Sequence, residues 1–178
     1  MNYTGGLVVL GNQFARSSSG VYRQGGYWST TTFQANQEVY ATVRNAAKVA
    51  TDAMALYVRT NQLTDGNADG YALDIFFNDP ATAWYIRAFT NETYGASIGP
   101  VTQAIADGET VLFSAYGSVL TGYLLSGGTW SQVITLTDTT YNSPGYIGME
   151  LIRGQTWRAT DFGGGGYQAS GQTDVMIA

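Results

Sequence analysis

The sequence contains no cysteine and no histidine in 178 residues. Their absence excludes disulfide bonds, thiol nucleophiles, zinc sites built from Cys and His, and a Ser-His-Asp catalytic triad. Charged residues are also scarce, at 12% of the chain against about 25% in an average protein. The surface must therefore consist largely of neutral polar residues, a composition common in proteins that work outside cells or in virus particles.

Two classes of partner are disfavoured by the same composition. Eight basic residues and a net charge of -5 leave no basic surface that would neutralise phosphates, so we expect no nucleic-acid partner. The first thirteen residues lack the basic start and apolar stretch of a signal peptide, and no run approaches the length of a membrane-spanning helix. We therefore expect no membrane span. The chain either stays in the cytoplasm, leaves the cell as part of a particle or is cut from a longer exported protein, and we favour a location in a virion or outside the cell.

Alternating runs dominate the chain. Segments rich in Val, Ile, Tyr, Phe and Thr recur roughly every ten residues between Gly, Asn, Asp and Ser, which is typical of an antiparallel β-sandwich or barrel. We predict strands at 6–10, 13–17, 21–28, 37–44, 53–59, 71–78, 83–89, 109–116, 119–125, 130–136, 146–152 and 156–162. Residues 45–52 are predicted as a connection or one short turn. A composition shift at 163–166 suggests one domain over residues 1–166 and a tail over 167–178, whose apolar end we expect to dock on a sheet or a partner.

The clearest pattern lies in residues 107–128, DGETVLFSAYGSVLTGYLLSGG. Val111 and Phe113 alternate with polar or outward positions in the first run, and Leu120 and Leu124 do so in the second. The pair Gly117-Ser118 between them favours a two-residue turn. The segment is predicted to be a β-hairpin.

The same alternation predicts a shared polar face. If the apolar residues of the strands near 37–44, 53–59, 71–78 and 83–89 point to the core, the residues between them must lie on the opposite face of the sheet. Our candidate ligand-binding residues on it are Tyr40, Tyr57, Asp74, Tyr85, Arg87, Tyr116 and Tyr123, accompanied by Arg44 and Arg59. Tyrosine faces pack on sugar rings while charged groups bind hydroxyls, but Tyr and Arg are also enriched at protein interfaces. The pattern therefore fits a sugar-binding face, a protein interface or a minor core under a long loop, and it does not distinguish among these three interpretations.

A weak metal motif lies at DGNADG, residues 65–70. Asp65, Asn67 and Asp69 have the spacing of the first ligands of an EF-hand loop, but the twelfth position is Phe76 instead of Glu. An EF-hand is excluded, which leaves either a looser Ca²⁺ loop or a solvated turn. No other cofactor is expected.

Paired carboxylates for glycoside hydrolysis would appear on a strand as acids at i and i+2 or i+4. Glu38, Glu92, Glu109 and Glu150 have no such partner within a predicted strand. Acids brought together by folding remain open at this point, but the sequence favours a protein that is not an enzyme.

The order and spacing of several segments resemble the concanavalin A-like lectin and glucanase superfamily, in its laminin-G-like form. These segments are Trp28 and Phe33 ahead of NQEVYATV (36–43), DGYALDI (69–75), the hairpin, ITLTDTTYNSPGYIGMEL (134–151) and TDFGGGG (160–166). The resemblance covers roughly residues 7–166. It implies a jelly roll of two curved antiparallel sheets, with ligands usually held on the concave sheet or its rim loops. The E-x-D-x-E motif of the family's glucanases is absent, so their activity is not implied.

Three functions follow as hypotheses. The first is a non-catalytic lectin-like structural or attachment module, such as a phage decoration, head-fibre or tail-associated protein or an exoprotein surface module, with capsid or tail proteins or further copies of itself as partners. The second is a carbohydrate-binding module of an extracellular protein, with a glycan as partner. A glycoside hydrolase or lyase ranks third.

Overall fold

A computed structural model of the chain describes residues 7–10, 13–16, 23–28, 30–44, 52–61, 67–77, 82–153 and 158–166. These residues form thirteen strands and no helix. The strands are β1 (Leu7–Leu10), β2 (Gln13–Arg16), β3 (Arg23–Tyr27), β4 (Gln37–Arg44), β5 (Asp52–Asn61), β6 (Asp69–Phe77), β7 (Thr82–Thr90), β8 (Thr93–Thr102), β9 (Thr110–Tyr116), β10 (Val119–Ser126), β11 (Thr129–Thr137), β12 (Tyr146–Ile152) and β13 (Arg158–Gly166). The described part of the chain accordingly has no apolar helix that would cross a membrane.

The strands form two sheets with antiparallel neighbours. The seven-stranded sheet has the order β1-β2-β13-β4-β9-β10-β11, and the six-stranded sheet has the order β3-β12-β5-β6-β7-β8. Inward side chains of both sheets, among them Leu56, Trp84 and Phe113, are fully buried in one core between the sheets. The predicted all-β, two-sheet antiparallel sandwich is confirmed.

The predicted hairpin at 107–128 is formed by β9 and β10. Tyr116 pairs with Val119 across the turn, and Gly117 has a φ of 55°, which glycine adopts without strain. Further along β10, Gly122 faces the core. A Cβ there would come within 2.9 Å of Ile134 and 3.0 Å of Leu73, so glycine lets the two sheets approach at this point.

The twelve predicted strands correspond to β1–β7 and β9–β13, and β8 is the strand that the sequence pattern missed. Its sequence, TYGASIGPVT, contains Gly95, Gly99 and Pro100, residues that disfavour strands. It forms because it pairs antiparallel with the edge of β7, and its register with β7 is irregular at two points. Of the predicted connection at 45–52, residues 45–51 lie outside the described residues, and Asp52 begins β5.

Arg59 joins three chain segments at one end of the sandwich. It is fully buried, and its guanidinium donates hydrogen bonds to the carbonyl oxygens of Gly117 (2.6 Å), Ala35 (2.7 Å) and Tyr141 (2.9 Å) and to Oδ1 of Asn142 (3.2 Å). Burial lowers the pKa of the guanidinium from its usual value. The expectation that Arg59 lies on an exposed polar face is therefore wrong, because the ladder of β5 is irregular between Val58 and Asn61 and the side chain turns into the rim.

A second polar network lies at the same end. The hydroxyl of Tyr71 donates to Asp138 Oδ1 and accepts from the backbone N–H of Tyr141 at 3.0 Å. Burial, followed by the hydrogen bond to Asp138, raises the pKa of Tyr71 to about 12. Burial of Asp138 acts to raise its own pKa, but the hydrogen bonds from Tyr71 and Thr140 outweigh it, so the pKa is lowered.

Candidate functional site

The seven predicted binding residues do not share one face, because they lie on the outer faces of two sheets that pack back to back. Tyr57, Asp74, Tyr85 and Arg87 belong to the six-stranded sheet, whereas Tyr40, Tyr116 and Tyr123 belong to the seven-stranded sheet. For these seven residues the alternation separates inward from outward positions as predicted, whereas Arg59 does not follow it. The prediction of one common face is wrong, since alternation separates inside from outside but does not say to which sheet a strand belongs.

The first group stands in two rows across the six-stranded sheet. In one row, Glu150 pairs with Ala55, Ala55 with Asp74, and Asp74 with Tyr85. In the next row, the pairs run in the order Tyr27, Gly148, Tyr57, Ala72 and Arg87. In the second row the small residues Gly148 and Ala72 alternate with the large ones, which leaves room for rings to lie over the backbone. We call this surface, with Phe76, Phe89 and Tyr94 beside the two rows, the aromatic face.

One half of the aromatic face is organised around Arg87. Its guanidinium carbon lies 4.6 Å from the ring centroid of Tyr85, 5.2 Å from that of Tyr94 and 5.5 Å from that of Phe76. These distances fall within the range of cation–π attraction. Arg87 Nη1 also lies 3.3 Å from Asp74 Oδ2, and the hydroxyl of Tyr94 donates to Asp74 Oδ1 at 3.3 Å. Asp74 therefore fixes the positions of both Arg87 and Tyr94.

The other half is organised around Glu150. The hydroxyl of Tyr57 donates to Glu150 Oε2, and the ring of Tyr57 lies 5.6 Å, centroid to centroid, from the rings of both Tyr27 and Phe89. The Tyr27 ring covers Gly148, where a Cβ would come within 2.5 Å of it. Phe89 in turn lies 6.1 Å from Tyr94, so the two halves are joined by ring contacts.

Accessibility separates the residues that a ligand would meet from those beneath them. Asp74 and Glu150 have no exposed surface and Tyr57 is 2% exposed, whereas the side chain of Arg87 is 21% exposed. The rings of Tyr27, Tyr85 and Tyr94 are half-buried. The face thus presents the guanidinium of Arg87 and several tyrosine rings. They are supported from below by the carboxylates of Asp74 and Glu150, which lie on the two strands that flank β5.

Glu150, Tyr27, Phe76, Phe89 and Tyr94 were not among the predicted binding residues. For Glu150 a signal was present, because it alternates with the core residues Met149 and Leu151 in the manner of Asp74 between Leu73 and Ile75. Tyr94 could not be predicted as a binding residue, because it lies on β8 and the sequence pattern did not predict that strand.

The second group lies on the outer face of the seven-stranded sheet. Tyr40 pairs with Leu112, Leu112 with Tyr123, and Tyr123 with Gln132. Tyr40 and Tyr123 are half-buried, whereas Tyr116, beside the hairpin turn, is 65% exposed. Arg44, at the end of β4, is also half-buried and donates to Thr160 Oγ1 at 3.3 Å.

The metal motif is only partly described, since Asp65 lies outside the described residues. Asn67 is exposed, and Asp69 Oδ1 accepts a hydrogen bond from the backbone N–H of Asn91 at 2.8 Å. No group of three or more acidic side chains within the described residues is placed to hold a metal ion. The Ca²⁺ loop stays a prediction.

No protein-family model matches the sequence, and no curated protein matches it. Solved structures do match. The carbohydrate binding module CBM66 from Bacillus subtilis has a TM-score of 0.67 at 15% identity, covering 93% of this chain and 94% of that one. The legume lectin-like domain from Entamoeba histolytica has a TM-score of 0.64 at 12% identity, covering 92% and 88%.

A third match is the exoplasmic/lumenal domain of VIP36 in its Ca²⁺/Man-bound form, with a TM-score of 0.66 at 13% identity, covering 98% of this chain and 87% of that one. At such identities the likeness establishes the fold alone. The chain has the concanavalin A-like jelly-roll fold, as its resemblance to that superfamily implied.

Proposed function

We propose that this chain is a carbohydrate-binding, lectin-like module that holds sugar on the aromatic face. The observation that carries the proposal is the cluster of Arg87, Tyr85 and Tyr94 fixed in place by the buried carboxylate of Asp74. The similar structures support it, since one is named as a carbohydrate binding module and another as a Ca²⁺/Man-bound form.

The chemistry of the face suits a sugar ring. The C–H face of a pyranose packs on an aromatic ring, and its hydroxyls accept hydrogen bonds from a guanidinium. Arg87 supplies donors next to the ring of Tyr85, so both contacts are available within one sugar's width. A guanidinium already held by an ion pair and three rings loses little freedom when it binds, which improves affinity.

We further propose that Asp74 and Glu150 are positioning residues and that the module is not catalytic. A general acid or nucleophile must reach the scissile bond, but both carboxylates are fully buried beneath the rings. Each is engaged by a tyrosine hydroxyl. Under this proposal no polysaccharide is turned over, and release of reducing ends from a glycan that binds would refute it.

The test is a glycan array followed by calorimetric titration of the best ligand with single variants. Tyr85→Ala should weaken binding by about tenfold, the loss of roughly 1.4 kcal/mol of ring contact. Arg87→Gln removes a charged donor and should weaken binding by about 10- to 100-fold, from roughly 1.5–3 kcal/mol.

The opposite sheet provides matched controls. Tyr123→Ala and Tyr40→Ala each remove a half-buried tyrosine from the other outer face, so they should leave affinity unchanged. Melting curves of all variants separate loss of binding from loss of folding. If the control variants abolish binding while Tyr85→Ala does not, the ligand sits on the seven-stranded sheet and the proposed site is wrong.

The attachment role extends the same proposal. A sugar-binding module outside the cell or on a virus particle would place its host structure on a glycan surface, and the low charge of the chain is compatible with that setting. Copurification with a particle or a larger exported polypeptide tests it. Purification as an independent protein from the producing cells, without either partner, would count against this role but not against sugar binding.

A further inference from the structure

Two arginines lie side by side at one end of the seven-stranded sheet. Arg44, the last residue of β4, is paired in register with Arg158, the first residue of β13. The neighbouring pair of the same ladder, Val43 and Ala159, is fully buried in the core, so alternation directs both arginines to the outer face. Residues directly opposite each other on antiparallel strands have Cβ atoms about 4.5–5.5 Å apart. Two positive charges therefore start from adjacent positions on the sheet that does not carry the aromatic face.

This pairing is unusual for a chain with few cations. The sequence has eight basic residues in 178, yet two of them stand opposite each other in one ladder, where like charges destabilise a sheet. The segment that follows β4, residues 45–51, and the segment that leads into β13, residues 154–157, contain no Asp or Glu. An anion bound between the two arginines would remove the repulsion.

Arg44 uses one of its three guanidinium nitrogens in the described contacts. Its Nε donates to Thr160 Oγ1 at 3.3 Å. Its Nη1 lies beside Gly108, where a Cβ would come within 3.3 Å of it, so glycine keeps the space next to this nitrogen open. Within the described residues no carboxylate forms an ion pair with Arg44. The two terminal nitrogens can therefore bind two oxygens of one anion, in the fork geometry that guanidinium groups form with carboxylate and phosphate.

The acidic side chains around Arg44 do not take the place of such an anion. Glu109 Oε2 accepts a hydrogen bond from a backbone N–H of its own turn at 2.6 Å, and Asp161 Oδ2 accepts one from the hydroxyl of Thr160 at 2.9 Å. Asp107 is exposed on the same turn as Glu109. None of these three carboxylates is paired with the guanidinium of Arg44 in the part of the chain that the structure describes.

Threonine hydroxyls line the same surface in the next row of the sheet. Thr160, Thr42 and Thr110 are paired in that order across β13, β4 and β9. The Oγ1 atoms of Thr42 and Thr110 are hydrogen bonded at 2.8 Å. One of these two hydroxyls donates to the other, so the pair keeps one proton for a further acceptor. A neutral donor is thus available beside the arginines.

We propose that Arg44 and Arg158, with the hydroxyl of Thr110 beside them, bind an oxyanion: a carboxylate, sulfate or phosphate group. Two guanidinium groups match one such group, since its oxygens accept hydrogen bonds from both and its charge offsets their repulsion. They do not match a nucleic acid, which is held by many cations along a row of phosphates. The site lies on the opposite sheet from the aromatic face, so it is independent of the proposed sugar site.

The first test is thermal unfolding in sulfate against chloride at equal ionic strength, with phosphate and glucuronate as further anions. An anion that binds only the folded chain raises Tm, by about 3–5 °C at about ten times its Kd for a domain of this length. Sulfate should raise Tm with a saturating dependence on its concentration, which its general stabilising effect does not show. If none of the three anions raises Tm more than chloride does, the proposal is wrong.

The second test locates the site with charge-removing variants. Arg44→Gln and Arg158→Gln should each weaken sulfate binding by about 10- to 100-fold, because each removes a charged donor. Two variants are used so that the test stands if one of them does not fold. The matched control is Arg153→Gln, which removes the same charge from an exposed position on the other sheet and should change the affinity by less than about twofold, since salt screens exposed charges.

The control also defines the result that would refute the site. An equal loss of sulfate binding in Arg153→Gln would show that net charge alone attracts the anion. A sulfate response that persists unchanged in both site variants would place the anion elsewhere on the molecule.

Polysaccharides distinguish the two sources of the oxyanion. If a glycan carries it, a sulfated or uronic-acid polysaccharide should bind more tightly than its neutral parent, and Arg44→Gln should remove that difference. If small anions alone shift Tm, the oxyanion is a free solute and the site stands. Binding of neutral glycans reports on the aromatic face alone, so failure of the proposed function and failure of the oxyanion site are seen separately.

Discussion

Replacing Arg59 with methionine should be among the most damaging single substitutions in the described part of the chain. The side chain is fully buried at the rim of the sandwich, where it donates hydrogen bonds to three backbone carbonyls and one side-chain amide. Those carbonyls belong to the segment before β4, the β9–β10 turn and the loop before β12. Methionine fills a similar volume but donates no hydrogen bond.

The size of the effect follows from these contacts. A hydrogen bond to a charged group contributes about 1.5–3 kcal/mol, so three backbone bonds set an upper range of about 4.5–9 kcal/mol. The carbonyl of Gly117 belongs to an exposed residue and regains water when Arg59 is lost. Burying a guanidinium also carries a desolvation cost that methionine avoids. We therefore expect the free energy of unfolding to fall by about 3–5 kcal/mol, or roughly 6–20 °C in Tm for a domain of this length.

The assay is urea unfolding with Arg153→Met as the control. Arg153 is exposed and, like Arg59, has a positive φ, 58° against 53°, so any backbone strain from the substitution cancels in the comparison. The control should change stability by less than about 0.5 kcal/mol. A loss below about 1 kcal/mol for Arg59→Met would show that the carbonyls find other donors and that Arg59 does not hold the rim together.

Four further predictions concern high pH, low pH, calcium and the C-terminal segment. Because the pKa of Tyr71 is raised to about 12, the folded protein keeps a proton that the unfolded chain releases above about pH 10, so stability should fall between pH 10 and 12, and less steeply in Tyr71→Phe. The lowered pKa of Asp138 contributes stability that should be lost as pH falls below about 4, a loss absent from Asp138→Asn. If DGNADG binds Ca²⁺, the Tm of the unmodified chain should be higher in millimolar Ca²⁺ than in chelator, and the Tm of Asp69→Asn should be the same in both. An equal Tm of the unmodified chain in both conditions would exclude a Ca²⁺ site in this loop. Removing residues 167–178 should leave Tm within about 2 °C if the domain ends at 166, and a larger drop would place the boundary later.

The fold was predictable because each strand carries its own alternation. In β9 and β10 the inward positions Val111, Phe113, Leu120 and Leu124 are all buried, and the turn lies at Gly117 as predicted. No comparable signal exists for β8, whose glycines and proline do not favour a strand. Its conformation is imposed by pairing with β7, an interaction between segments that local propensity does not contain.

The site was less predictable, and the carboxylates show why. A search for acids two or four residues apart along one strand finds nothing, because Asp74 and Glu150 lie on β6 and β12. They share a face since both strands pair with β5, where each stands opposite Ala55. Two strand spacings separate their backbones by about 9.5 Å. That relation depends on strand order and register, which are properties of the whole sheet. Alternation within β6 and within β12 already shows that each acid points away from the core. It is the neighbour they share, β5, that turns two isolated outward acids into supports for one aromatic face.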